Sequence, residues 1–186
     1  MSADLVLVFE THATSLDNEA GLASGWFDVA LSENGEVQAR ALGERRRADN
    51  VAAVFCSDLT RAVRTAEIAF GDRGIPIIRD ARLRECNYGS LTRRAASEID
   101  AQRSLRVTTP FPDGESYQQV AGRVAAWLTE IAEAFAGQTV LVVGHRATFY
   151  ALEHLVGRMD LQDAVTSGWQ WQPGWVYRLS ASADRR

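Results

Sequence analysis

The chain has little cysteine, little histidine and no long apolar run, and each shortage excludes something. Two cysteines occur in 186 residues, Cys56 and Cys86, too few for a disulfide framework and not at metal-finger spacing. A reduced, cytoplasmic setting is therefore the expectation. No stretch approaches the roughly 20 apolar residues of a membrane span. The N-terminal apolar run ends at Phe9 with no basic residues before it, too short for a signal peptide core. There is no basic excess either: 20 Lys and Arg against 24 Asp and Glu give a net charge of −4. Such a balance argues against a general nucleic-acid binder, which needs a basic face to neutralise phosphates. Arg45-Arg46-Arg47 reads instead as the solvated last turn of a helix, favoured by the helix dipole.

What is present is an ordinary globular balance, 46% hydrophobic and 24% charged. The length suits one domain, expected over residues 1–181, with a frayed, disordered tail at 182–186. Short apolar runs alternate with stretches of helical period. Strands are expected at 5–9, 52–56, 75–78, 139–143 and near 175–180. Helices are expected at 33–47, with Val37, Ala41 and Leu42 on its apolar face, and at 59–70, 93–103 (weakly), 115–136 and 147–157. Pro76 marks the third strand as a sheet edge or a strand start. Repeated strand–helix units predict an α/β three-layer sandwich, a mostly parallel central sheet with helices on both faces. The polar stretch 10–35 is too long for a passive connection, as functional loops are.

Ligands in open α/β sheets bind outside the carboxyl ends of the strands. His12 follows the first strand and His145 the fourth, so two of the three histidines share one expected rim. Ser57, Asp58 and Arg61 follow the second strand; Arg82, Arg84 and Glu85 follow the third. Two imidazoles, guanidinium groups and a carboxyl suit phosphoryl chemistry. Guanidinium forks clamp phosphate oxygens, a histidine attacks, and a carboxylic acid protonates the leaving oxygen. Each residue also has a structural alternative. Asp58 can cap the helix that starts at Leu59, Arg61 can pair with an acid across the first turn, and Glu85 can pair with Arg82 or Arg84. His154, inside a helix, reads as structural. Trp26, Trp169, Trp171 and Trp175 either line a substrate pocket or close the core over loops.

Thr11-His12-Ala13-Thr14-Ser15-Leu16-Asp17-Asn18 resembles the Arg-His-Gly-x-Thr-x-x-Asn opening of the histidine phosphatase, or phosphoglycerate mutase-like, superfamily. Further blocks follow in the family's order: Ser24-Gly25-Trp26-Phe27-Asp28, Leu31 to Ala39, Ser57 to Ala66, Leu83 to Gly89, Gly114-Glu115-Ser116 and Val140 to His145. The resemblance implies that His12 is a nucleophile forming a phosphohistidine and Glu85 the general acid and then base. It implies that Arg61 and His145 stabilise the transferring group, that Asn18 and Ser24 add neutral hydrogen bonds, and that neither metal nor cofactor is needed. The partner it implies is a small phosphorylated substrate, with no nucleic acid and no membrane; a homodimer is one open oligomeric state.

Three departures bear on activity. Thr11 replaces the family's arginine, Ala13 its glycine, and Glu10 an aliphatic residue. Losing one preorganised donor typically costs about 10²–10³ in rate. Arg146, next to His145, is the candidate replacement, its alternative being a surface position. Other classes fit less well. A cysteine-dependent phosphatase needs Cys-x₅-Arg, whereas four residues separate Cys56 from Arg61. A metal centre of Glu10, His12, Glu85 and His145 lacks the usual ligand spacing. The short span from Glu85 to Gly114 favours hydrolysis over mutase chemistry. The non-enzyme alternative is a weakened fold that binds phosphate or another anion.

Overall fold

A computed structural model describes residues 4–180; the expected tail at 182–186 lies outside them. Five strands form one sheet: β1 (Leu5–Thr11), β2 (Ala53–Cys56), β3 (Ile77–Arg79), β4 (Thr139–Gly144) and β5 (Trp175–Leu179). Their order is β3-β2-β4-β1-β5, parallel except for β5, which runs antiparallel to β1. β3 lies at an edge, and Pro76 stands just before it, where its missing N–H costs the ladder nothing.

Alternation along the inner strands builds two cores. Leu5, Leu7 and Phe9 of β1, Phe55 of β2 and Val140 and Val142 of β4 face one layer of helices. Val8, Val54, Leu141 and Val143 face the other. Helices α2 (Glu33–Arg45) and α3 (Thr60–Phe70) cover the second face, after a single turn, α1 (Leu16–Glu19). A short α4 (Ala96–Asp100) follows β3, and α5 (Tyr117–Ala134) and α6 (Arg146–Leu155) cover the first face. A six-residue α7 (Leu161–Thr166), not anticipated from the sequence, precedes β5. None of these helices is long and apolar enough to cross a membrane.

The helical period over 115–136 puts Tyr117, Val120, Ala121, Val124, Leu128 and Ile131 in one apolar stripe, and on α5 that stripe is buried as a unit with Trp127 added. Ser116 caps it by accepting from Gln119 N, while the Gln119 side chain accepts from Ser116 N. On α2 only Leu42 of the expected face is buried. Val37 and Ala41 are exposed, and Gly35, Ala39 and Leu42 are buried. Close packing selects the small residues: a Cβ on Gly35 would lie 2.0 Å from Thr14 O. The weak helix expected over 93–103 shrinks to α4, followed by a 3₁₀ turn at Arg103–Arg106.

The arginine run ending α2 is not a solvated turn. Arg45 and Arg46 reach across to Glu10 of β1, whose side chain is only 2% exposed, at 3.0 and 2.7 Å. Arg46 also donates to Pro173 O. Arg47 stays at the surface, paired with Glu44, and Arg45 keeps part of its side chain in solvent. An acid at the end of β1 has to be neutralised once buried, and α2 ends where two guanidinium groups can do it.

Candidate active site

The register of the two central strands places the histidines. Thr11 of β1 pairs with Gly144 of β4, and His12 N donates to Gly144 O at 2.9 Å. His12 and His145 therefore leave neighbouring parallel strands side by side, with ring centroids 4.9 Å apart. Gly144 has to be glycine here, because a Cβ would approach the Phe9 ring to 2.7 Å.

His12 Nδ1 lies 2.7 Å from Ala13 O. A carbonyl only accepts, so Nδ1 carries the hydrogen and Nε2 keeps its lone pair. Burial first, and then the Arg61 charge, pull the His12 pKa down to about 3, against a weaker upward pull from the Ala13 bond. The ring is therefore neutral near pH 7, as a nucleophile requires. His145 is likewise held well below its usual range, by burial, then Arg61 and His12. Its Nε2 lies 2.6 Å from Ser57 Oγ, and its Nδ1 is buried without a hydrogen-bond partner.

Arg61, in the first turn of α3, is 2% exposed and pairs with no acid there. It donates to Gly25 O (2.8 Å) and Phe27 O (3.1 Å), which fixes the fork and leaves three of its N–H groups for a ligand. α3 is not capped by Asp58. Asp28, from the 24–28 block, accepts from Thr60 N and Oγ1, both at 2.7 Å, while Asp58 is held in a two-bond pair by Arg84.

Glu85 pairs with neither Arg82 nor Arg84. Its Oε1 accepts from Cys86 N (2.7 Å) and Ala147 N (3.2 Å), the second near the start of α6. Burial raises its pKa, and the Cys86 amide, Arg61, the Ala147 amide and Arg103 only partly oppose that. With both amide bonds on Oε1, Oε2 is the oxygen left to carry a proton. The loop is fixed from behind: Trp26 Nε1 (2.7 Å) and Arg123 (2.9 Å) donate to Glu85 O. Arg123 in turn donates to both oxygens of Glu115, and Glu115 Oε2 also accepts from Asn87 N. Glu115 thus does more than open α5.

All seven residues expected at the site, His12, Asn18, Ser24, Arg61, Glu85, His145 and Arg146, line one cavity of about 270 Å³. Their availability differs. Asn18 Oδ1 accepts from Ser15 N and Oγ, closing a capping box, so only its amide NH₂ is free for a ligand. The Ser24 hydroxyl donates to Asp17, which is also bound by Arg93, so its proton is committed elsewhere. Arg146 reaches the rim rather than open solvent, with its guanidinium over the Trp169 ring and 3.4 Å from Asp100. Trp169 and Trp171 line the same cavity, whereas Trp175 packs against Phe9 and Phe149. His154 contacts Met159 O at the end of α6, a structural place.

Two residues went unforeseen, Arg103 and Asp100, both on the cavity wall. They belong to no motif, and only their place between the Glu85 and Gly114 blocks could have drawn attention. A second cavity, about 420 Å³, lies behind His12 and is bounded by Glu10, Thr11 and Arg45. It lacks Arg61, Glu85 and His145, so the reactive groups belong to the smaller one. Cys56 is fully buried with its thiol pushed up to about 12, which leaves no thiolate for a cysteine mechanism. Among the described residues no three His, Cys, Asp or Glu side chains are placed to hold a metal ion.

The geometry defines a class, and comparison with known proteins agrees with it. The sequence profile of the histidine phosphatase superfamily (branch 1) matches residues 7–185, and the chain belongs to that family. It is 33% identical over 195 residues to a probable phosphoglycerate mutase, GpmB, of Citrobacter koseri, covering 93% of this chain and 91% of that one. The GpmB protein of Klebsiella pneumoniae (strain MGH 78578) is 36% identical over 142 residues, 72% of this chain and 66% of its own length. Among solved structures, Bacillus stearothermophilus YhfR superposes with a TM-score of 0.83 at 26% identity, covering 92% and 90% of the two chains. Mycobacterial glucosyl-3-phosphoglycerate phosphatase gives 0.77 at 25% identity, covering 88% and 84%.

Proposed function

We propose that this protein hydrolyses a small phosphomonoester through a phosphohistidine on His12. The observation that carries the reading is the neutral His12 ring, its Nε2 lone pair free, in one cavity with Arg61, His145 and a buried carboxyl. His12 Nε2 attacks phosphorus, and the bond from phosphorus to the leaving oxygen breaks. The proton on Glu85 Oε2 passes to that oxygen. Glu85, now a carboxylate, takes a proton from a water that attacks phosphorus, and the P–N bond breaks to release orthophosphate and His12. Arg61 neutralises the equatorial oxygens, the electrostatic contribution on which phosphoryl transfer mainly relies. Burial and the Arg61 charge favour the neutral form of His145, and an arriving dianion supplies the counter-charge that favours its protonation.

Hydrolysis is favoured over transfer to a second substrate, although several relatives carry mutase names. Between Glu85 and Gly114 the chain supplies only one five-residue helix and two short 3₁₀ turns over the cavity, which leaves water a way in. Two unpaired, buried cysteines fit a reducing compartment such as the cytoplasm. The test is turnover of p-nitrophenyl phosphate together with acid-labile phosphate on His12. Both are expected in the wild type and neither in His12→Ala; undiminished turnover by that variant overturns the reading. Thr11 in place of arginine favours a second reading, an anion-binding protein with a weakened site. Retained orthophosphate binding with no turnover and no phosphohistidine would select it.

A further inference from the structure

Thr11 leaves the phosphate site one guanidinium short, and the wall of the same cavity holds an unassigned one. Arg103, in the turn after α4, is 88% buried by its side chain, yet its Nε has no hydrogen-bond partner. Its guanidinium lies over the Tyr150 ring, 5.8 Å from the centroid, as that of Arg146 lies over Trp169 at 5.5 Å. Each guanidinium therefore rests on an aromatic ring as well as on its acid partner. Their one shared carboxylate is Asp100, and both contact the same oxygen, Oδ1, Arg146 at 3.4 Å. Asp100 is 47% exposed in its side chain and so loosely held.

We infer that Arg103, together with Arg146, supplies the charge that Thr11 does not carry, and that a phosphoryl group binds by displacing Asp100 from the two guanidinium groups. One carboxylate between two arginines leaves a net positive charge on this wall. A phosphoryl dianion offers several oxygens to two forks, where Asp100 offers one oxygen to both, so the exchange gains charge-assisted bonds. The unpartnered Nε of Arg103 gains a possible acceptor by the same exchange. Arg103 also lines the same cavity as His12, Arg61 and Glu85. Asp100 is then an internal competitor that occupies the cations while the cavity is empty.

The inference rests on the cavity being a phosphate site, so Arg61→Ala is measured beside it. The probe is orthophosphate, its Kd read by titration calorimetry, with kcat/KM for p-nitrophenyl phosphate as a second readout. Arg103→Ala is expected to weaken phosphate binding about 10-fold and to lower kcat/KM by roughly 10²-fold, within the range for loss of one preorganised donor. Arg103→Lys, which keeps the charge but not the fork, should fall between, and serves if the alanine variant folds poorly. Asp100→Asn is expected to tighten the Kd about 3- to 10-fold, on the order of one charge-assisted contact. That gain should vanish in the Asp100→Asn/Arg103→Ala double variant. If Arg61→Ala abolishes binding while Arg103→Ala and Asp100→Asn leave the Kd unchanged, the inference fails and the phosphate site stands. If the wild type itself binds no phosphate, the proposed function falls, and this inference with it.

Discussion

Two carboxylates that line cavities shared with His12 are each gripped by two arginines, and they differ in how completely. Glu10 is sealed between β1 and α2, 2% exposed, with separate contacts from Arg45 and Arg46 to its two oxygens. Asp100 stands on the cavity wall, about half exposed, with one oxygen shared by Arg103 and Arg146. The chain's basic residues are all arginine, whose planar fork allows both arrangements. The buried cluster, with each oxygen of Glu10 held by its own guanidinium, acts as a structural tie. The open one leaves hydrogen-bonding capacity unused, as a site awaiting an anion does. Burial, more than composition, separates a fastening from a binding surface.

The largest expected effect comes from breaking the sealed cluster. Arg45→Ala/Arg46→Ala leaves Glu10 buried and unpaired, and should cost about 3–5 kcal/mol in urea denaturation. A loss below about 1 kcal/mol would mean that Glu10 reaches water and the cluster is not sealed. Next comes Arg61→Ala, expected to lower kcat/KM for p-nitrophenyl phosphate by about 10²–10³, roughly 3–4 kcal/mol of transition-state stabilisation. A drop of less than tenfold would move the phosphate site toward the Asp100 wall.

The third effect is a pH dependence of stability. His12 and His145 are neutral when folded but take up protons near pH 6.5 when unfolded. Below that pH the unfolded chain binds more protons, so stability is present above 6.5 and is lost as the pH falls. For His12 this window runs from 6.5 to about 3. Each histidine contributes up to about 1.4 kcal/mol per pH unit. Glu85 acts in the opposite sense: its raised pKa adds stability below its unfolded value and loses it as pH rises through the folded one. The denaturation midpoint followed from pH 7 to pH 5 should fall, and His12→Gln should lessen the slope by one proton. An unchanged slope in that variant would show that His12 is already protonated in the folded protein. The smallest expected effect is Asp100→Asn, within about 0.5 kcal/mol in stability because the acid is half exposed. A larger loss would make the open cluster a second fastening.

The rim was legible because it depends on period and position. Apolar runs of strand length followed by His12, Arg61 and His145 predict one sheet edge, and Glu85 joins them in one cavity as the family resemblance implies. The α5 stripe was legible for the same reason. Face assignments failed where backbone approach replaces hydrophobicity, as on α2 with Gly35 and Ala39. The roles of Arg45, Arg46 and Asp28 were hidden because their partners lie far along the chain, at Glu10 and Thr60. Arg103 and Asp100 were hidden because neighbours in a weak helical stretch reveal nothing about the wall they form.

The register of β1 has a consequence for how the protein is made. Both strands that flank β1, β4 and β5, come from the last third of the sequence, whereas β1 comes near its beginning. The placing of His12 beside His145 therefore waits on contacts of very long sequence separation, the kind that form slowly in folding. During synthesis, a chain that has emerged only as far as α5 carries His12, Arg61 and Glu85 but has no strand beside β1. The cavity that gathers these side chains with His145 is therefore assembled only when the last strands join the sheet.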